Sequence, residues 1–452
     1  MKSVHITNYY HKDSGGISTA YNHLLEAANR CQRHVRLIVP GEKSDVENIG
    51  EFGKIYYVQA KFSPVFDKRY RIMLPWKTYI FDQSPIKTIL RDEKPDMIEI
   101  GEKYTLSLMA GLLRKNILNV SNPRPMLVHY SCERMDDNVA SFIADGRVSR
   151  WLCRRFMGLF NIPMFDFHLA NSHYTARELY DALSVEKRPR RSATFVNLIW
   201  RFLRAPKKAL KDRIFVNHCG VDNTLFTVSR RSESVRVELR KRLGVSDDKR
   251  LLLYAGRISP EKNVFLLLDM MRSLKKKGDE TYCLIVAGDG PAAKLLKERA
   301  RQMNLPIIFL GHVKDREELA DIYANCDAFV HTNPNEPFGI APLEALASGL
   351  PLVAPDSGGV LSYADTSNSW LERPNGNAFA EAVRDIFSDK GKRDECVANG
   401  LRVASGYSWT TSTDALFSVY DRMYELFRSE HELYDYQEFP RDINFAANLT
   451  AC

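Results

Sequence analysis

Residues 326–355 read CDAFVHTNPNEPFGIAPLEALASGLPLVAP. A short apolar run (326–330) leads into a loop, the loop into an apolar helical run (342–348), and that into a second apolar run (350–355). Apolar runs of this length, with no polar face, suit parallel strands covered on both sides. The loop is therefore expected at the carboxyl end of a strand and at the mouth of a helix. Glu336 precedes Pro337 in it, Gly339 lets backbone approach a ligand closely, and Pro342 suits a first helical turn. Glu344, eight positions after Glu336, is expected in that first turn. A helix mouth carries unpaired N–H groups and partial positive charge, and it attracts phosphate. Two acids flanking such a mouth can each accept two hydrogen bonds from a diol, one from a ribose and one from a sugar. An exposed loop acid and a helix acid that offsets the dipole fit the same spacing.

The same alternation extends over the chain. Apolar runs occur at SVHITNY, HVRLIVP, DMIEIG, MLVHYS and FHLANS in the first half. In the second half they occur at RIFVNHCG, LLLYAGR, CLIVAGDG, IIFLGH, AFVHTN and LPLVAP. Helical patterns intervene, for example at 17–29, 104–114, 263–277, 292–302 and 317–325. The fold class expected is α/β: two facing doubly wound Rossmann-like domains, with ligands at the carboxyl ends of strands and the active site in the interdomain cleft. The expected division is a first domain at 1–185, a basic amphipathic insert at 186–213, a second domain at 214–402, a closing helix at 403–428, and a disordered tail at 429–452.

A chain of 452 residues with 44% hydrophobic and 27% charged residues can build two ordinary cores. The net charge of +8 is modest and does not point to nucleic acid. The eight cysteines are scattered, with no C-x-x-C pair, so no zinc or dithiol site is expected and a reducing compartment is. The polar start, MKSVHITNYYHKDSGG, lacks the apolar core of a signal peptide, and no apolar run reaches spanning length. The expected location is the cytoplasm.

Several segments together resemble retaining family-4 glycosyltransferases of the GT-B fold. The block EPFGIAPLEALASGLPLVAPDSGG resembles that family's E-x7-E signature, and YAGRISPEKNV its donor-phosphate segment. SGGIST resembles its N-terminal glycine loop, NHCGVDNTLF its interdomain segment (with Cys219 where an Asn is usual), and YSWTTSTDALFSVYDRMY its closing helix. The combination of E-x7-E with R-x4-K carries the resemblance, which extends to about Phe427.

The resemblance implies roles. Arg257 and Lys262 would pair with the donor pyrophosphate and neutralise charge on the leaving group. Gly15 and Gly16 would present amides to the distal phosphate. Glu336 would hold sugar hydroxyls, Phe338, Gly339 and Ile340 would give backbone contacts, and Glu344 would hold the ribose. Val313 falls where the family holds the base through its backbone. His129, expected just after a strand, would position the donor sugar. In ERMD, which resembles ERLD of relatives that mannosylate lipid-linked acceptors, Glu133, Arg134 and Asp136 are acceptor candidates; charge at a helix start explains them equally well.

The implied reaction moves a hexose from GDP-mannose or a UDP-sugar to a hydroxyl of a glycan or lipid-linked acceptor, with retention by a front-face path. No D-x-D triplet occurs in the chain, so no metal and no cofactor are expected. Two other readings compete. A non-catalytic nucleotide-sugar-binding protein would share the fold. A dinucleotide-dependent oxidoreductase would need G-x-G-x-x-G after the first strand, and HKDSGGISTAYN lacks it.

Two segments mix cations with large apolar residues, as interfacial helices do. RVSRWLCRRFMGLF holds Arg150, Trp151, Arg154 and Arg155. The insert holds Trp200, Arg201 and Arg204. They suggest contact with an anionic membrane surface, peripheral on the inner face of the plasma membrane; a solvated loop and a half-buried helix read equally well.

Overall fold

The computed structural model describes residues 1–11, 15–63, 71–142, 146–184, 190–276 and 281–435. The chain divides into two compact units: Met1–His218 with Ser412–Cys452, and Cys219–Thr411.

The first unit holds β1 (Ser3–Ile6), β2 (Val35–Gly41), β3 (Asp45–Ile49), β4 (Gly53–Gln59), β5 (Lys61–Phe62), β6 (Arg71–Ile72), β7 (Met97–Ile100), β8 (Met126–Ser131), β9 (Phe167–Ala170) and β10 (Ile214–Val216). Its main sheet has the order β10-β9-β8-β7-β1-β2-β4-β3, and β5 and β6 form a separate small hairpin. The main sheet is parallel except that β3 lies antiparallel on β4. Burial on both faces explains the continuous apolar strands. One face packs Val4, Ile98 and Leu127 against Leu90, Met109 and Leu113. The other packs Leu37, Val128 and Phe167 against Leu24 of the helix Gly16–Arg30 and Phe417, Tyr420 and Met423 of the helix Trp409–Ser429.

The second unit holds β11 (Arg250–Ala255), β12 (Tyr282–Ala287), β13 (Ile307–Gly311), β14 (Ala328–Val330), β15 (Leu352–Pro355) and β16 (Trp370–Glu372). They form a parallel sheet of order β13-β12-β11-β14-β15-β16. Leu252, Leu284 and Val286 pack against Leu267 and Met271 of the helix Leu266–Lys276 and Phe379 and Val383 of the helix Gly376–Ser388.

Each sheet winds outward in two directions from a first strand. The reversal lies between β1 and β7 in the first unit and between β11 and β14 in the second. Beyond the carboxyl ends at such a reversal the following loops diverge and leave a crevice.

The sequence reading is corrected at its joints. RIFV is not the first strand of the second domain: Ile214–Val216 pairs with His168–Ala170 as the last strand of the first sheet. The insert is not a linker, because its helix Arg190–Phe202 seals a subcore of the first unit through Val196 and Trp200. Residue 402 lies inside the helix Lys390–Ser405, and the closing helix is Trp409–Ser429. The expected disordered tail begins instead with a helical turn, His431–Tyr434, whose Tyr434 is fully buried. The rest of it, from residue 436, lies outside the described residues. The β3–β4 hairpin escaped the reading because an edge strand with a polar, exposed sequence (DVENI) carries no core signal.

Candidate active site

The reversal in the second unit brings two loops together, one after β11 and one after β14. The first turns through Pro260–Lys262 and ends at Asn263, whose φ of 52° is left-handed. The second is residues 331–339. Thr332 Oγ1 donates to the Lys262 carbonyl (2.7 Å), and Asn263 Nδ2 donates to the Thr332 carbonyl (3.2 Å). So laced, the loops set Lys262 Nζ 2.8 and 3.1 Å from the two oxygens of Glu336. Asn333 Nδ2 donates to the same carboxylate at 2.9 Å, and His331 Nε2 lies 3.7 Å away. Burial alone would raise the pKa of Glu336; the Lys262 ammonium, with the Asn333 amide donating beside it, outweighs burial and holds it at about 2. Burial lowers His331 to about 4, so this imidazole is neutral. Arg257, in the same first loop, has its guanidinium 3.6 Å from Glu261.

Gly339 caps the helix Ile340–Ala347 with φ of 91°, a conformation that favours glycine. A Cβ at Gly339 would sit 2.9 Å from the Tyr363 hydroxyl, which donates to the Gly339 carbonyl. Phe338 is buried, its ring 5.3 Å from that of Tyr363. The turn after β15 supports this loop backbone on backbone. Gly359 N donates to the Glu336 carbonyl at 2.6 Å, and a Cβ at Gly359 would lie 1.9 Å from the Pro337 carbonyl oxygen. Pro342 is in the first turn as expected, but Glu344 is in the second, not the first. Glu344 is half-buried beside the Tyr323 hydroxyl; burial lifts it to about 7 against the pull of Arg316. Val313 stands just past β13, at the sheet edge and two strands from β11.

In the first unit, Gly15 (φ 109°) and Gly16 start the helix Gly16–Arg30 beyond β1, at that sheet's reversal; Lys12, Asp13 and Ser14 lie outside the described residues. His129 is misplaced in the sequence reading. It lies inside β8, not after it, and is fully buried. Its Nδ1 is 3.1 Å from Nδ1 of His168 on the paired strand, and burial pushes its pKa well down. It is a neutral, fully buried side chain whose Nε2 has no hydrogen-bond partner among the described residues.

The three acceptor candidates separate. Arg134 and Asp136 are buried and bonded to each other at 2.9–3.0 Å, with Arg154 joining Asp136 at 3.1 Å. They tie the start of the helix Met135–Phe142 to its neighbours rather than offering themselves to a substrate. Glu133 is half-buried past the end of β8, and it accepts from Tyr9 Oη and Asn138 Nδ2, each at 2.5 Å. Tyr9 follows β1, so this cluster stands at the carboxyl side of the first sheet. Burial raises the Glu133 pKa.

The membrane candidates separate too. Trp200 is corrected outright: it is fully buried and its Nε1 donates to the Gly158 carbonyl at 2.9 Å. Arg150 pairs with Asp137 and Arg154 with Asp136. Arg201 and Arg204 are half-buried. Trp151 is exposed, with Arg155 4.9 Å from its ring.

Sequence reasoning passed over Asn333, His331, Tyr363 and Tyr9. The first two lie on the strand-to-loop path just before Glu336, a placement that could have singled them out. Tyr363 and Tyr9 come from other segments and carry no local signal. Among the described residues, no group of three or more His, Cys, Asp or Glu could hold a metal ion.

Residues 235–403 match the family model described as Glycosyl transferases group 1. The chain is 25% identical over 426 residues (94% of this chain, 97% of the other) to a GDP-mannose-dependent alpha-(1-6)-phosphatidylinositol dimannoside mannosyltransferase of Mycobacterium tuberculosis. Among solved structures it resembles sucrose-phosphate synthase from Thermosynechococcus elongatus, with TM-score 0.68 and 17% identity over 94% of this chain and all of that one. It also resembles HepE of Anabaena in complex with UDP and glucose, with TM-score 0.64 and 18% identity over 93% and 99% of the two chains. The family match thus lies within the second unit, and the chain as a whole has the GT-B fold of these solved structures.

Proposed function

We propose that the protein is a retaining hexosyltransferase that moves a sugar from a nucleoside-diphosphate sugar to a hydroxyl of a glycan or lipid-linked acceptor. The observation that carries this is the Lys262–Glu336 pair, set by two laced loops at the reversal of the second sheet, beside the mouth of the helix Ile340–Ala347. A diphosphate at that mouth meets the helix amides, Lys262 and Arg257, all of which favour the charge that grows on a leaving nucleoside diphosphate. The diphosphate competes with Glu336 for the Lys262 ammonium. Glu336, already ionised, then turns its oxygens to sugar hydroxyls. Glu344 accepts from the ribose diol, Val313 offers backbone to the base, and the Gly15–Gly16 amides bind phosphate.

These residues supply the positive charge at the leaving group without a metal, and the leaving phosphate can take the acceptor proton. Glu133, with Tyr9, is the group we assign to the acceptor hydroxyl. GDP-mannose is the donor favoured, on the ERMD segment and on the mycobacterial relative; the same relative, named for a phosphatidylinositol mannoside, favours a lipid-linked acceptor. The protein then works at an anionic membrane surface from the cytoplasmic side.

A thermal-shift panel of UDP, GDP, ADP, UDP-glucose and GDP-mannose tests the donor site. A ligand that binds only the native state raises the melting temperature. GDP-mannose and GDP are expected to do so, and Lys262→Ala to abolish the shift. No shift with any nucleotide would defeat the reading. Transfer to an acceptor extract should survive chelator and yield the donor's anomeric configuration by NMR; loss restored by magnesium would overturn the metal-free part.

A further inference from the structure

We propose that Lys103 and Glu178, a buried ion pair of the first unit, are positioning residues that hold the Glu133 carboxylate toward the acceptor hydroxyl. This role rests on the acceptor reading of Glu133 and adds two residues that touch no substrate themselves.

Glu102, Glu133 and Glu178 stand close together at the carboxyl side of the first sheet. Two of these acids are spent. Glu102 is buried and accepts from the backbone amides of Tyr104, Thr105 and Leu106 at 2.6–2.9 Å. Glu178 is buried on the helix His173–Ser184. One of its oxygens accepts from the Met135 amide at 2.6 Å, and the other accepts from Lys103 Nζ. Glu133 is the half-buried one, so it is the acid of this group that a hydroxyl can reach.

Lys103 links the spent acids to Glu133. It follows β7 and, like Glu178, is 1% exposed. Glu102 fixes the segment that carries it, by holding the three amides that come next. Lys103 Nζ donates to the Glu133 carbonyl as well as to Glu178. The pair therefore grips the turn after β8 on both sides of Arg134, at the carbonyl of Glu133 and the amide of Met135. With the backbone held there, Tyr9 Oη and Asn138 Nδ2 fix the direction of the Glu133 carboxylate. A buried ion pair adds little stability, because desolvation offsets the attraction; fixing one arrangement is the use left to it. Burial raises the Glu133 carboxyl, and the Lys103 ammonium opposes that rise. So the same cation that grips the turn also favours the ionised acid.

The test uses the double variant Lys103→Met/Glu178→Gln of the full chain. It removes both charges at similar size and leaves an oxygen for the Met135 amide, whereas breaking either partner alone strands the other charge. Its melting temperature and nucleotide-induced thermal shift are expected to match the wild type. Its kcat for transfer from GDP-mannose to the acceptor extract is expected to fall about tenfold or more, with the KM for donor unchanged. Glu133→Gln should lose at least as much. The triple variant should be no slower than Glu133→Gln, because groups that act through one another do not lose activity independently. Wild-type turnover in the double variant overturns the role. So do losses that multiply in the triple variant, the result expected of a merely structural pair. Should the double variant not fold, Lys103→Met alone replaces it, since a lone buried Glu178 can take up a proton and still accept from Met135; wild-type turnover there is equally decisive. If Glu133→Gln transfers as fast as the wild type, the acceptor reading fails and takes this role with it. If only the double variant does, the reading stands and the role falls.

Discussion

Glu336 and Lys262 form a mutually dependent pair. Removing the ammonium by Lys262→Ala leaves a buried carboxylate with weaker compensation, and its pKa must rise from about 2. Turnover should fall about 10²–10³-fold, as when a preorganised charge-stabilising donor is lost; a loss under threefold in steady-state assays would remove Lys262 from the site. Glu344 predicts a pH effect. Its carboxyl is held near pH 7 by burial, so below that pH it is neutral and accepts a ribose diol poorly. Nucleotide affinity, measured by calorimetry, should rise with pH through about 7, and the rise should vanish in Glu344→Gln. The sequence singled out Glu336, Glu344, Arg257 and Lys262 because loop chemistry is written in adjacent residues, and the structure brings Lys262 onto Glu336. It misled at His129, since MLVHYS does not reveal that its strand runs two residues past the histidine, or that His168 waits on the next strand to bury it.

The loop 334–338 owes its shape to another element. Gly359→Ala would drive a Cβ to 1.9 Å from the Pro337 carbonyl, a backbone atom that cannot rotate away. The loop must shift, and Glu336 with it. Stability should fall by roughly 1–3 kcal/mol, and the nucleotide-induced thermal shift should shrink; an unchanged shift would show that the loop is not braced from β15. The helix Arg190–Phe202 teaches the converse. Its sequence shows cations among large apolar residues, which serve an exposed interface or a half-buried face equally well. Only its packing separates Trp200, inside, from Phe195, Leu198 and Phe202, outside. The strand Ile214–Val216 likewise carries no mark of which sheet it joins; pairing with β9 decides it.

The end of the described chain is held by long-range charge. Asp166 is fully buried, bonded to Arg114 and, at 2.7 Å, to Arg124; both arginines also donate to the Tyr434 carbonyl. Burial alone would raise the Asp166 carboxyl, but the two guanidinium groups hold it below the ordinary carboxylate range. Asp166→Asn strands two buried cations and should cost roughly 3–5 kcal/mol in urea unfolding. Truncation before His431 should also lower the melting temperature, because Tyr434 fills a core position and its carbonyl serves both arginines; an unaltered melting curve would show that the tail adds nothing. By itself the sequence determined the α/β class and the strand-to-helix loops that carry Arg257, Lys262, Glu336 and Glu344, because periodicity and loop residues are local. The tertiary structure alone decided where the units divide, that the last helices return to the first unit, and which histidine, tryptophan and arginines are buried. Those outcomes depend on contacts between residues tens to hundreds of positions apart, and no local pattern encodes them.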